Sequence, residues 1–170
     1  MSEDLIIKHC SPTLAGLKTA NLFACTYSQK QDVERYAQEF NRRFSCKGVK
    51  MQPLDFGETR VLIYVFRPTR LEKDLSEPQA KSILASMGYS RFDYMTCLNR
   101  LKSRVKQCPE FPHEIGLFLG YPPEDVHGFI LHKGNCCKCC GCLWFTVMKK
   151  KPVACLPSIK NAPTSIIQNG

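Results

Sequence analysis

The sequence predicts an α+β fold in which several helices pack on a small mixed or antiparallel sheet with a β-hairpin at its centre. Two neighbouring runs rich in β-branched residues are separated by a short turn, and segments with helical periodicity flank them. Of the 170 residues, 44% are hydrophobic, which suffices for one core. We therefore predict one domain over residues 1–148, followed by an irregular tail over residues 149–170, where Pro, Ser, Asn and Lys occur without a period.

Two helices are predicted before the sheet. Pro12 is typical of a helix start, which places the first helix at Thr13–Ala24 with Ser11 or Thr13 as its cap. A lysine and an amide interrupt the otherwise apolar face of that helix, which carries Leu14, Lys18, Asn21 and Cys25. The second predicted helix, Gln29–Phe44, ends before Gly48, and one of its faces is apolar throughout.

The sheet is predicted from Val49–Asp55 and Arg60–Arg67, which alternate or run apolar and are joined by a turn that contains Gly57. Pro68 is expected to end the second strand. Helical periodicity and Gly or Pro boundaries then predict four helices and a last strand, at Pro78–Met87, Phe92–Gln107, His113–Leu119, Pro123–Lys133 and Leu143–Met148.

Composition narrows the classes of function. No apolar run approaches the roughly 20 residues of a membrane span, and the first residues lack the basic region and cleavage site of a secretory signal, so we expect a cytoplasmic protein. The net charge of +9 is spread over several short clusters without nucleic-acid motifs or interleaved aromatic residues. This distribution favours solvated helix faces over nucleic-acid binding, and a basic surface for interaction with another protein stays open.

The densest chemical signal is the run Cys136–Cys142, in which three C-x-x-C pairs overlap. Such spacing lets two thiolates share a soft metal ion, or lets one thiol resolve the disulfide of another. No second C-x-x-C pair occurs elsewhere among the eleven cysteines, so a four-cysteine zinc site is incomplete. A cysteine-rich turn without metal or catalytic role is the structural alternative.

Cys10 is the candidate for a single reactive thiol, because it comes just before the first predicted helix, where backbone amides and the helix dipole stabilise a thiolate. The alternative is a buried structural cysteine. His113 and Glu114 begin another predicted helix and could transfer a proton, or simply cap that helix. Arg67 could hold a carboxylate or phosphate with two hydrogen bonds, or form a surface ion pair.

Three segments together resemble a known family: His9–Gly16 followed by Lys18 and Asn21, then Tyr64–Pro68, then Phe111–Pro122. The sequence is similar over residues 5 to 148 to the domain-of-unknown-function family 3793 of anaerobic clostridia and their relatives. The resemblance implies a cytoplasmic protein of an anaerobic bacterium and no particular reaction. It also marks Lys138–Gly141 as a family motif and Cys136, Cys137 and Cys142 as additions.

These observations lead to a first hypothesis, a small-molecule-binding and thiol-dependent redox protein. Cys10 would be the reactive thiol, with His113 and Glu114 for proton transfer, and the site would bind an anionic or redox-active ligand through Lys18, Asn21, Arg67 and Tyr121. Such a protein would also need a redox partner protein, and we expect it not to bind a membrane. The alternative is a non-catalytic module for a soft metal ion or redox cofactor, with these ligands: His9, Cys10, Cys139 and Cys140. The sequence does not decide whether the protein is an enzyme.

Overall fold

The computed structural model describes residues 3–108 and 110–131, in which two layers of helices enclose a three-stranded antiparallel sheet. The strands are β1 (Ala20–Thr26), β2 (Lys50–Phe56) and β3 (Arg60–Phe66), in the order β1-β3-β2. The helices of the described part are α1 (Glu3–Leu14), α2 (Lys30–Phe44), α3 (Pro68–Ser76), α4 (Pro78–Ser86), α5 (Tyr94–Gln107), α6 (Ile115–Phe118) and α7 (Pro123–Leu131). The predicted α+β class and its hairpin are confirmed.

The central strand β3 has an apolar core on each face. Val61, Ile63 and Val65 point toward α1 and α2, whereas Leu62 and Tyr64, together with Phe66, point toward the layer of α3 to α7. Successive side chains of a strand alternate between faces, so a strand buried on both sides must be apolar at every position. This is why β3 contains an unbroken hydrophobic run.

The predicted helix Thr13–Ala24 was wrong. The first helix, α1, lies earlier in the chain and includes Pro12 in its last turn, and the residues expected to form its second half are instead β1. Gly16, with a φ of +77°, turns the chain between the two elements in a conformation that favours glycine. β1 is buried on both faces, and its nearly continuous apolar pattern does not distinguish a short strand from a helix.

The following elements agree better with their sequence patterns. α2 ends at Phe44, a short 3₁₀ turn follows at Ser45–Lys47, and Gly48 adopts a φ of +70° as expected of a glycine that ends a helix. β2 and β3 form the predicted hairpin, with a bulge between Pro53 and Asp55. Pro68 ends β3 and also begins α3, a helix that the sequence analysis missed.

The later helices α4 to α7 lie close to their predicted positions, and α5 begins after Asp93, whose side chain accepts a hydrogen bond from the N–H of Thr96 at 2.9 Å. Of the helices in the described part, none combines the length and the apolar character that crossing a membrane requires. The predicted strand Leu143–Met148 and the predicted tail 149–170 lie outside the described residues.

Candidate functional site

Arg67 holds the end of α1. Its Nε donates to the carbonyl oxygen of Thr13 at 2.7 Å, its Nη2 donates to that of Leu14 at 2.6 Å, and its Nη1 donates to that of Lys47 at 3.3 Å. The last carbonyls of a helix lack partners within the helix and carry partial negative charge, so a guanidinium is a favourable partner for them. The donors of Arg67 are thus directed at the backbone, and the geometry shows a structural role for this residue.

Cys10 lies inside α1 and not at a helix start, so the structural premise for a reactive thiol was wrong. Its side chain is completely buried in the core between α1, α2 and the sheet. This burial raises the pKa of the Cys10 thiol to about 12. A thiol in that environment stays protonated at neutral pH, and the protonated form is a poor nucleophile and metal ligand.

Two other predicted residues have partners near Cys10. The ring of His9 stacks on that of Phe23, with centroids 5.1 Å apart and planes at 6°. Asn21 is buried in β1, where its Oδ1 accepts a hydrogen bond from Thr13 Oγ1 at 2.6 Å. These contacts attach α1 to β1. They explain the positions of the His9 and Asn21 side chains, and no ligand is needed for that explanation.

Glu114 is buried in an ion pair. It is 1% exposed, and its Oε1 accepts hydrogen bonds from Arg104 Nε and, at 3.1 Å, from the hydroxyl of Tyr89. Burial and the neighbouring carboxylate raise the pKa of Tyr89, so its hydroxyl stays a donor. His113 meets the ring of Phe129 edge-on, with centroids 5.0 Å apart. This arrangement anchors the turn before α6 to α5, which is a structural function for Glu114.

Lys18 and Tyr121, which the sequence placed in one ligand site, lie together in the structure. The Lys18 ammonium lies 5.1 Å from the centroid of the Tyr121 ring, a geometry typical of a cation–π contact. Partial burial lowers the pKa of Lys18. In the described part of the chain, Lys18 forms no ion pair with a carboxylate.

The backbone next to this pair is held by a second contact between the same segments. Thr19 Oγ1 donates to Asp74 Oδ2 at 2.5 Å, which ties the start of β1 to α3. Gly120 has a φ of +78°, and a Cβ at this position would lie 2.7 Å from Thr19 Oγ1. Glycine therefore permits the close approach that brings Tyr121 to Lys18.

Tyr121 also lines a cleft of about 300 Å³ between the end of α3 and the start of α7. Three carboxylates line the same cleft, from Asp74, Glu77 and Glu124, together with Pro122 and Pro123. These acidic residues gather on a chain whose net charge is +9. The cleft therefore combines an aromatic ring with a local excess of negative charge.

A larger and more open depression of about 730 Å³ lies between α3 and the start of α5. Its lining includes Pro68, Tyr94 and Met95, together with the charged residues Glu72, Lys73 and Asp93. None of the residues that the sequence predicted for catalysis, ligand binding or metal binding lines it. We therefore take the smaller cleft at Tyr121 as the candidate site.

The predicted metal site is represented only by His9 and Cys10, since Cys139 and Cys140 lie outside the described residues. Within residues 3–108 and 110–131, no group of three or more His, Cys, Asp or Glu side chains is arranged to hold a metal ion.

The sequence profile of one family, described as "Protein of unknown function (DUF3793)", matches residues 6–154. The chain belongs to this family. The match covers all the elements that form the cleft of this DUF3793 member and extends beyond α7. No curated protein and no solved structure matches the chain.

The sequence analysis assigned none of the acidic residues of the cleft to a ligand site. Asp74 and Glu77 belong to a charged stretch where no helix was predicted, and Glu124 looks like an ordinary acidic residue in the first turn of a helix. A sequence signal existed only for Asp74, since the spacing of Leu71 and Leu75 indicates a helix that would place Asp74 beside its buried face.

Proposed function

We propose that the protein binds a small organic cation, such as an amine, in the cleft beside Tyr121. The observation that carries this proposal is the meeting of three carboxylates and an aromatic ring in one cleft. Carboxylates attract a positive charge directly, and the face of an aromatic ring attracts it through its quadrupole. The two kinds of group together are the usual protein partners of an amine.

The contact between Lys18 and Tyr121 supports the same ligand chemistry. The Tyr121 ring already contacts the ammonium group of Lys18 in the absence of a ligand, and the residue Tyr121 remains 37% exposed. A second cation, supplied by a ligand, would meet the same ring and the carboxylates of the cleft. Lys18 thus occupies part of the environment that the ligand would use.

The volume of the cleft limits the size of the ligand. About 300 Å³ is at the lower end of the range for small-molecule sites. Such a volume suits a short aliphatic amine better than a nucleotide or a folded peptide. The prolines at the start of α7 provide a rigid wall, because their backbone φ angles are restricted.

This proposal differs from the sequence hypothesis in the charge of the ligand. An anionic ligand was expected from Lys18 and Arg67, but the guanidinium donors of Arg67 bind carbonyl oxygens. Cys10 has no part in the proposed function, because burial keeps its thiol protonated. We place the function in the bacterial cytoplasm, in keeping with the reduced thiols of Cys10, Cys46, Cys97 and Cys108.

Calorimetric titration of the full chain with putrescine and, separately, with succinate tests the proposal. The two probes share a four-carbon chain and carry opposite charges. We expect saturable binding of putrescine at physiological ionic strength and none of succinate. The double variant Glu77→Gln, Glu124→Gln should weaken putrescine binding by about tenfold or more, since two charge-assisted contacts are lost.

Glu58→Gln is the matched control, because Glu58 is an exposed carboxylate in the turn between β2 and β3, away from the cleft. This variant should bind putrescine as the unaltered chain does. Equal binding of putrescine and succinate, or no saturable binding of putrescine, cadaverine or choline, would contradict the proposed function.

A second candidate function, the metal-handling module, rests on the three overlapping C-x-x-C pairs of Cys136–Cys142, which lie within the residues that the family profile matches. Metal analysis of protein purified without oxygen tests it. Stoichiometric metal that is lost on Cys139→Ser would support this function, and metal-free protein would contradict it.

A further inference from the structure

The outer edge of β2 is closed by side-chain and backbone features. Asn41 Nδ2 donates to the carbonyl oxygen of Met51 at 2.9 Å, and the N–H of Met51 donates to Asn41 Oδ1 at 2.7 Å. Pro53 has no N–H, and the bulge that follows it interrupts the regular edge. Amide caps, prolines and bulges prevent another strand from pairing with an edge. β2 is therefore the blocked edge of the sheet.

The orientation of the backbone in β1 follows from two hydrogen bonds at its ends. The N–H of Arg67 donates to the carbonyl oxygen of Thr19, and the N–H of Tyr27 donates to that of Thr59. In the antiparallel register, residues that exchange hydrogen bonds with β3 therefore alternate with residues whose N–H and C=O point away from it. The second group consists of Ala20, Leu22, Ala24 and Thr26.

Residues 3–108 and 110–131 give this outward edge of β1 no comparable protection. Of its backbone groups, the carbonyl of Ala24 accepts a hydrogen bond from Arg60 at 3.3 Å, and the described residues supply no partner to Ala20 and Leu22 on this side. The strand sequence, Ala-Asn-Leu-Phe-Ala-Cys-Thr, contains no proline and no charged residue. It lacks the features with which edge strands usually avoid pairing.

The backbone groups at this edge that the described residues leave unpaired belong to buried residues. Ala20 is 0% and Leu22 is 6% exposed, so little of either residue is available to water. A buried backbone N–H or C=O group without a hydrogen-bond partner destabilises the folded state, because it loses its hydration without a replacement. An additional strand would supply these partners.

We propose that Leu143–Met148, a segment outside the described residues, pairs with the outer edge of β1 as a fourth strand. This segment, Leu-Trp-Phe-Thr-Val-Met, is uncharged, contains no glycine or proline, and is rich in aromatic and β-branched residues. Its six residues match the seven of β1 in length. The basic run Lys149–Lys151 and Pro152 follow it directly and would end the pairing.

The path of the chain is compatible with this pairing. Tyr121, just before α7, contacts Lys18, which is two residues before β1, so the described chain approaches its end on the side of the molecule where β1 starts. α7 is about 13 Å long, and residues 132–142, which join it to the segment, can span roughly 36 Å when extended. The family profile continues to residue 154 and thus includes the segment.

NMR hydrogen exchange on the full chain tests the pairing. We expect the amides of Leu22 and Ala24 to exchange at least about 100-fold more slowly than in an unstructured peptide, and nuclear Overhauser effects to connect them to residues 143–148. Thr146→Pro should remove the protection of these amides and leave that of Ile63 in β3 unchanged. Thr164→Pro, in the same tail but outside the segment, is the matched control and should change neither.

Fast exchange at both Leu22 and Ala24 in the unaltered chain would overturn the proposal. Protection that depends on protein concentration would also overturn it, because a second copy would then occupy the edge. If Thr146→Pro also removed the protection of Ile63, the nuclear Overhauser effects of the unaltered chain would still test the pairing. Effects that connect the outer edge of β1 to a segment other than residues 143–148 would contradict it. None of these outcomes depends on a ligand in the cleft.

Discussion

At the residue scale, the candidate site contains Lys18, whose own ammonium group contacts the aromatic ring that a ligand would bind. The ammonium of Lys18 lies over the Tyr121 ring, where a cationic ligand would also bind, and partial burial disfavours its charged form. A ligand must therefore share the ring with Lys18 or displace its ammonium. Sharing the ring brings two positive charges together, and displacement breaks the cation–π contact of Lys18, so the affinity is lowered in either case.

Replacing Lys18 by Met should consequently tighten putrescine binding by about two- to fivefold, because the competing cation is lost while most of the side-chain volume is kept. Lys8→Met provides the control, since Lys8 is an exposed lysine on α1. Calorimetric titration of both variants measures the change. Weaker binding by Lys18→Met would show that Lys18 helps to hold the ligand, against the proposed role of the cleft.

Cys10 gives a prediction about pH. Its pKa rises from the ordinary value of 9.0 to about 12 on folding, so the unfolded chain loses this proton at a lower pH than the folded chain. The contribution of Cys10 to stability is complete below pH 9 and is lost as pH rises from about 9 toward 12. At pH 10 the loss is about 1 kcal/mol.

Urea unfolding of the unaltered chain and of Cys10→Val, at neutral pH and at pH 10, measures this contribution. The difference in unfolding free energy between the two proteins should shift by about 1 kcal/mol in favour of the variant at the higher pH. An unchanged difference would show that the Cys10 thiol is accessible to solvent, and would reopen its role as a reactive residue.

At the element scale, the pair of Arg104 and Glu114 attaches the turn before α6 to α5. Arg104 is partly exposed, whereas Glu114 is 1% exposed, so removal of the arginine leaves a buried charge. Arg104→Met should lower the free energy of unfolding by about 2–3 kcal/mol. Arg100→Met, on an exposed face of the same helix, should change it by less than about 0.5 kcal/mol. Similar values for the two variants in urea unfolding would refute the structural role of the pair.

Two glycines near the candidate site provide a matched comparison. Gly120→Ala places a Cβ 2.7 Å from Thr19 Oγ1 at a φ of +78°, and it should cost more than about 1 kcal/mol and weaken putrescine binding. Gly128→Ala, in α7, meets nothing within 4 Å and should be neutral or stabilise the protein by up to about 1 kcal/mol. Thermal unfolding and titration of both variants check this. If Gly120→Ala were as well tolerated as Gly128→Ala, the close approach of β1 and the turn before α7 would not be required.

The sequence predicted elements well where local rules determine the structure. The β2–β3 hairpin follows from two strand patterns around a turn with Gly57, and α2 from a single apolar face. α1 and β1 could not be assigned in this way, because Pro12 lies in a last helical turn and not in a first one. The burial of β1 on both faces removes the alternation that identifies a strand, and this burial is a property of the whole fold.

At the scale of the whole molecule, the site depends on contacts that the sequence does not contain. Lys18 and Tyr121 were predicted to share a site and do lie together. Asp74 joins them through Thr19, which is 55 positions away in the sequence, and no local pattern indicates such a contact. The same packing directs Arg67 to the end of α1. Its guanidinium, which could bind an anion, instead donates hydrogen bonds to backbone carbonyl oxygens.

The distribution of charge is a second property of the whole molecule. The chain has 24 basic and 15 acidic residues, yet three carboxylates line one cleft of about 300 Å³. A basic surface around an acidic cleft would repel cations at long range, and salt would screen that repulsion. The affinity of the cleft for an amine should therefore fall less with added salt than that of an exposed acidic patch. It could even rise with salt.

The most direct test of the central claim is an NMR titration of the full chain with putrescine, recorded at backbone amides and at the Cε–H groups of lysine. The account predicts saturable shifts at Gly120, Tyr121 and Glu77, with one common dissociation constant, and a shift of the Lys18 Cε–H signals as the ligand shares the Tyr121 ring with its ammonium or displaces it. Shifts that do not saturate, or saturable shifts elsewhere with the Lys18 signals unchanged, would contradict it.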